Sequence, residues 1–160
     1  MTSRPTGEAA RGGTEGSPAL EPPFKFSART RVGFSDTDAQ GVVYYGRYMP
    51  YFDLARVEYH RALGMLRTGP EDRQFVMRAM TVEYHAPAAF DDEIEVGVRI
   101  ARIGNSSVTY EFAAYLLPRT LAVTATQTLV LVDLVARRPA PVPDWWRTKV
   151  EAFEGPDLEA

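Results

Sequence analysis

From position 75 to position 134 the chain alternates apolar and other residues almost without a break. A period of two belongs to strands with one buried face, because successive side chains point to opposite sides of a sheet. Ile94, Val96, Val98 and Ile100 keep the rhythm in one segment, and Val108, Tyr110, Phe112, Ala114 and Leu116 keep it in the next. Only turn-forming residues interrupt it: Pro87, the pair Asp91 and Asp92, Gly104 with Asn105, and the run Pro118, Arg119 and Thr120. Four strands joined by such short links must pair as antiparallel neighbours.

One stretch upstream has a different period. Tyr48, Phe52, Ala55, Tyr59 and then Ala62 or Leu63 recur at steps of three and four, which predicts one helix stopped by Gly64. Pro50 is tolerated only in a first turn, where its missing amide hydrogen has no partner to lose, so the helix must start near Gly46 or Arg47. Before it, Phe26, Ala28, Val32 and Phe34 alternate as a first strand. Residues 65–74 read as a loop. After Pro139, Pro141 and Pro143 a short helix is expected over 144–153, capped by Asp144. The class is α+β, with one long helix against an antiparallel sheet. One helix covers one face, so a second copy of the chain is the expected cover for what remains.

Composition narrows the chemistry. The chain has 160 residues, a net charge of −3, no cysteine and two histidines, His60 and His85. That charge gives no footing for nucleic acid, and the missing thiols fit a reducing, cytoplasmic setting. No apolar run reaches the roughly 18 residues of a membrane span. Residues 1–23 hold too few apolar groups to offset the entropy of ordering them and read as a disordered tail. The ordered domain is expected over 24–155.

The functional question sits in "FSDTDAQGVVYYGRY", residues 34–48, where strand gives way to helix. The acids open like a calcium loop, but Arg47 stands where that loop needs a bidentate glutamate. The two histidines have no metal-ligand spacing, no G-x-S-x-G elbow is present, and no metal site is expected. A carboxylate beside a helix amino terminus has a coherent use. The unsatisfied amides can hold a carbonyl oxygen as it gains charge, while the carboxylate attacks the carbon or activates water. An activated acyl group such as a thioester suits so weak a nucleophile. The alternative is that Asp36 and Asp38 simply bond turn amides.

The segment "DTDAQGVVYYGRYMPYFDLARVEYHRALG" resembles the 4-hydroxybenzoyl-CoA thioesterase group of hotdog-fold acyl-CoA thioesterases, over about residues 29–143. The resemblance implies a curved antiparallel sheet wrapped around one long helix, forming a homodimer and often a homotetramer. It implies that Asp38 is the active carboxylate, as nucleophile or general base, and that the amide of Tyr45 or a neighbour holds the thioester oxygen. Asp36 would orient the turn, and Gly41 would let the backbone approach the substrate. Tyr44 and Tyr48 would flank an acyl channel. Arg102, Ser106 and Ser107 would meet pantetheine or phosphate. Arg56 and Glu58 would be an orienting pair. Some relatives carry histidine where this chain has Tyr45, which leaves a backbone contribution there and removes a side-chain one. No cofactor is implied, coenzyme A being part of the substrate. A hydratase using His85 and a non-catalytic acyl-CoA-binding module are the alternatives.

Overall fold

In a computed structural model, residues 20–67 and 73–160 are described. Most of the expected tail, and the middle of the expected 65–74 loop, lie outside them. The elements are β1 (Phe26–Arg31), α1 (Tyr48–Ala62), β2 (Arg73–Tyr84), β3 (Glu93–Ile103), β4 (Ser107–Leu116), β5 (Thr120–Asp133), β6 (Arg138–Pro139) and α2 (Asp144–Glu154). All pairing is antiparallel, in the order β1-β3-β4-β5-β2, with β6 on the end of β5. The expected class and architecture hold: a single curved sheet packs its inner face on α1.

Alternation fixes that inner face. Ile94, Val96, Val98 and Ile100 of β3, with Val108, Tyr110, Phe112 and Ala114 of β4, are all essentially inaccessible to water. They meet Phe52, Ala55 and Tyr59 of α1, and the Phe52 and Phe112 rings lie 5.0 Å apart. Each such side chain contributes about 1.5–3 kcal/mol by leaving water. Pro50 is the third residue of α1, where no amide bond is lost.

The helix stops as Gly64 implies. Gly64 has φ +69°, its amide donates to the Arg61 carbonyl, and the Met65 amide donates to the His60 carbonyl at 2.7 Å. This is a Schellman closure, and it carries fully buried Met65 into the core although the sequence placed that residue in a loop. A second difference concerns α2. Pro143 is its N-cap and Asp144 its first residue, so Asp144 does not cap it.

The opposite face of the sheet is partly covered from both ends of the chain. A side chain at Gly97 would meet Leu20 at 3.0 Å and Phe24 at 3.3 Å, so a glycine is what allows this strap to lie flat. At the far end of β3, where β1 has stopped, Glu159 bridges to Arg102 and its amide donates to the Ala101 carbonyl. Arg99 anchors this segment through the Asp157 carbonyl at 2.8 Å and pairs with Glu111 at 2.7 Å.

Candidate active site

The two acids do different work. Asp36 turns inward: its Oδ2 accepts the Gly33 amide at 2.9 Å and the Tyr51 hydroxyl at 2.7 Å, and its carbonyl accepts the Tyr44 amide. It therefore ties the turn to α1 at both ends. Burial and the Asp36 carboxylate together push the Tyr51 hydroxyl well above its ordinary pKa, so it stays a donor. The expected orienting role of Asp36 has a geometric basis.

Asp38 lies at the tip of a small hairpin. Thr37 bridges to Val43, the Asp38 carbonyl accepts the Gly41 amide at 3.0 Å, and its Oδ1 accepts the Gln40 amide at 2.8 Å. Among the described residues nothing engages Oδ2. Gly41 sits at φ +80° with open space where a side chain would be, so what the structure demands of it is the left-handed turn.

Asp38 lines a cavity of about 330 Å³ together with Val42, Tyr45, Tyr48, Tyr84 and His85. The chain enters α1 here through a single 3-10 turn, Tyr45–Arg47, whose first internal bond runs from the Arg47 amide to the Tyr44 carbonyl. The amides of Tyr45 and Gly46 precede that bond and have no acceptor inside the turn. Asp38 and Tyr45, the first residue of the helix entrance, thus line one cavity. That arrangement can polarise a carbonyl while a charged oxygen, or a water it activates, attacks the carbon.

Not every expected residue is there. Tyr48 lines the cavity and is almost fully buried, whereas Tyr44 is exposed and packs against Tyr45 with ring centres 4.2 Å apart and planes tilted by 38°. Arg102, Ser106 and Ser107 cluster at the β3–β4 hairpin, at the opposite end of the sheet, and none lines the Asp38 cavity. Arg56 pairs with Asp53 at 2.9 Å and Glu58 with Arg61, so Arg56 and Glu58 do not pair with each other. Of the other lining residues, the sequence reading missed Tyr84 and weighed His85 only for a hydratase. Tyr84 donates its hydroxyl to the Tyr45 carbonyl at 2.9 Å, pinning the helix entrance to the end of β2. His85 lies 2.9 Å from Thr124 Oγ1 and 4.0 Å from the Glu83 carboxylate. Their position just past a strand end was visible; their contact with a segment 39 residues away was not.

Known proteins resemble this chain in sequence and fold. The model of the thioesterase-like superfamily matches residues 32–150. The chain is 35% identical over 115 residues to the acyl-CoA thioester hydrolase YbgC of Escherichia coli, covering 71% of this chain and 86% of the relative. It is 34% identical over 122 residues to the acyl-CoA thioesterase YbgC of Haemophilus influenzae, covering 74% and 88%. A thioesterase from Thermus thermophilus, crystallised with coenzyme A and zinc, superposes with a TM-score of 0.68 at 33% identity, covering 79% of this chain and 94% of that one. A 1,4-dihydroxy-2-naphthoyl-CoA thioesterase from Synechocystis shares the fold with a TM-score of 0.74 at 21% identity, covering 82% and 98%.

Proposed function

Since the chain belongs to the thioesterase-like superfamily and is, by that membership and its relatives, an acyl-CoA thioesterase, we propose that it uses Asp38 against a thioester carbonyl held by the helix-start amides of Tyr45 and Gly46. The observation that carries this reading is the shared cavity of Asp38 and Tyr45. Two routes balance. Asp38 takes a proton from water, the hydroxide adds to the carbonyl carbon, and collapse of the tetrahedral adduct expels the CoA thiolate, which takes that proton. Alternatively Asp38 attacks directly, the thiolate leaves, and water hydrolyses the resulting anhydride. Single turnover in H₂¹⁸O separates them, because only attack on the anhydride at the aspartyl carbon places label in Asp38. An Asp38→Asn protein that folds and keeps full activity on a panel of acyl-CoA thioesters would remove Asp38 from the mechanism.

Membership of the narrower 4-hydroxybenzoyl-CoA group, work without a cofactor and a cytoplasmic location belong to the same proposal. So does contact of Gly41 and Tyr44 with the substrate. Among the described residues no helix is long and apolar enough to cross a membrane, and no cluster of three acids or histidines is placed to hold a metal ion. Arg102, Ser106 and Ser107 could meet the coenzyme only if another subunit carried it to their end of the sheet.

A second subunit is part of the reading. β2 pairs only with β5, and its other edge, with Val76, Met77 and Met80 each 40–46% exposed, faces no described residue. Beside it, Leu54 and Val57 of α1 are 38% exposed. An edge of this length and apolarity invites strand pairing, and the occupant we assign is β2 of a second copy, giving a dimer. A homotetramer would add a second interface to this one.

His85 favours one rival. It reaches the cavity, as a hydratase would need. Turnover of an enoyl-CoA to the hydroxyacyl-CoA, lost in His85→Gln and kept in Asp38→Asn, would select that reading.

A further inference from the structure

A second cavity, of about 250 Å³, opens on the same inner face at the other end of α1. Arg56, His60, Leu66, Phe75, Tyr110 and Leu129 line it. Tyr48 and His60 are separated by 12 helix positions, about 18 Å, so this cavity is not an extension of the one at Asp38 in the same subunit.

Among the described residues its walls carry a single formal charge. His60 Nε2 and the Tyr110 hydroxyl are 2.7 Å apart, and burial and the nearby Arg56 hold the imidazole down to about 4, which leaves it neutral. Among the described residues no acid lines the cavity. Arg56 lies 5.9 Å above the Tyr110 ring and donates to Gln127 Oε1 at 3.3 Å. Its other partner, Asp53, stands on the solvent side with its side chain 56% exposed. The guanidinium is thus fixed by the Asp53 carboxylate, a ring and a buried amide, beside a cavity whose other described lining residues are uncharged. A cavity of about 150 Å³ holds benzene, so this one accepts a chain of four or five carbons.

The topology says where that chain comes from. Antiparallel pairing of β2 with its copy, centred near the bulge between Met77 and Ala79, would bring Tyr84 close to residues 74 and 75 of the other strand. Tyr84 lines the Asp38 cavity and Gln74 lines the second one. In that register a twofold axis would bring the Asp38 cavity of one subunit beside the Arg56 cavity of the other.

We propose that the Arg56 cavity receives the far end of the acyl group whose thioester is cleaved by Asp38 of the partner subunit, and that it selects acyl groups ending in a carboxylate. The proposal rests on the thioesterase reading and on the β2 dimer. Arg56 supplies the charge and fork geometry that a carboxylate accepts, and an uncharged alkyl end leaves that guanidinium without a mate in the cavity.

The experiment compares kcat/KM for glutaryl-CoA and for pentanoyl-CoA, its uncharged match in length. Wild-type protein is expected to favour glutaryl-CoA by about ten-fold or more, the scale of one charge-assisted hydrogen bond. Arg56→Gln should collapse that ratio, and Arg56→Lys should keep part of it. A wild-type ratio near one overturns the assignment whether or not any variant folds. Turnover that depends on Asp38 while the ratio ignores Arg56 overturns the cavity assignment alone. Absence of turnover on every acyl-CoA overturns the parent reading and takes this one with it. Co-expression of differently tagged Asp38→Asn and Arg56→Gln chains tests the trans arrangement. Purified mixed dimers hold one intact composite site and should show the wild-type ratio; an unselective mixed dimer would place Arg56 in the same subunit as the Asp38 it serves and sink the proposal.

Discussion

Two aspartates two positions apart share a turn and nothing else. Asp38 has one oxygen occupied by a turn amide and lines a cavity; Asp36 has one oxygen occupied twice and holds that turn on α1. Substitutions should therefore separate them. Asp38→Asn keeps the shape and the acceptor for Gln40, so its melting temperature should stay close to wild type while kcat drops by roughly 10²–10⁴-fold, the usual worth of a positioned acid or base. Asp36→Ala strands the half-buried Tyr51 hydroxyl and frees the Gly33 amide. Its cost should appear first in stability, at about 1–3 kcal/mol by denaturant titration. Activity should fall as a consequence, and adding Tyr51→Phe should return part of the stability by removing the stranded donor. An Asp36→Ala protein of native stability with no activity would make Asp36 the reacting group and reverse the two roles.

At the scale of elements, what the sequence disclosed follows from periodicity. α1 is legible because it buries one stripe, Tyr48, Phe52, Ala55 and Tyr59, and the inner strands because every second side chain is an apolar one on the inner face. The turn bearing Asp38 is legible as chemistry because its residue types suit few other uses. What stayed hidden has no period. β6 is two residues long, the contact of Tyr84 with the helix entrance spans distant segments, and the end of α2 rests on one acid. That acid, Glu154, is fully buried; its Oε1 accepts the Tyr59 hydroxyl at 2.6 Å and the Ile100 amide at 3.1 Å, while Oε2 has no partner among the described residues. Burial raises its pKa despite those bonds. The folded state thus holds the proton to higher pH than the unfolded chain. Glu154 is neutral and harmless below the ordinary carboxylate range, and stability is lost as pH rises from that range through the raised folded value. Glu154→Gln mimics the neutral acid, so the variant should gain on wild type in melting temperature as pH rises through that window. His60 acts in the other direction, losing stability as pH falls from 6.5 toward about 4, but it is common to both proteins and cancels in the difference. A difference that does not change with pH would mean that folding leaves the Glu154 pKa where it stands in the unfolded chain.

For the molecule as a whole, the single helix leaves the design unfinished. It seals the middle of the inner face but not the β2 margin, where Met80 and Val76 meet water beside two cavities. If a second copy completes both the sheet and the site, dimerisation and catalysis must fail together. Met80→Lys tests this. Met80 accepts a weak bond from buried Gln127 at 3.4 Å, so its side chain belongs to the inner side of the margin and not to the outer face. A lysine there points a charge into the proposed interface, where a buried, unpaired charge costs about 3–5 kcal/mol. The dimer dissociation constant should rise by roughly a hundred- to a few thousand-fold. The monomer loses no core contact comparable to those of Phe52, so its fold should survive. Sedimentation should then find monomers at concentrations where wild type is dimeric, and acyl-CoA hydrolysis should fall in step although Asp38 and its turn are untouched. Raising the protein concentration should restore both along one curve. Full activity in a Met80→Lys monomer would mean that each subunit holds a complete site, and the second cavity would then have to find its occupant without help from the twofold axis.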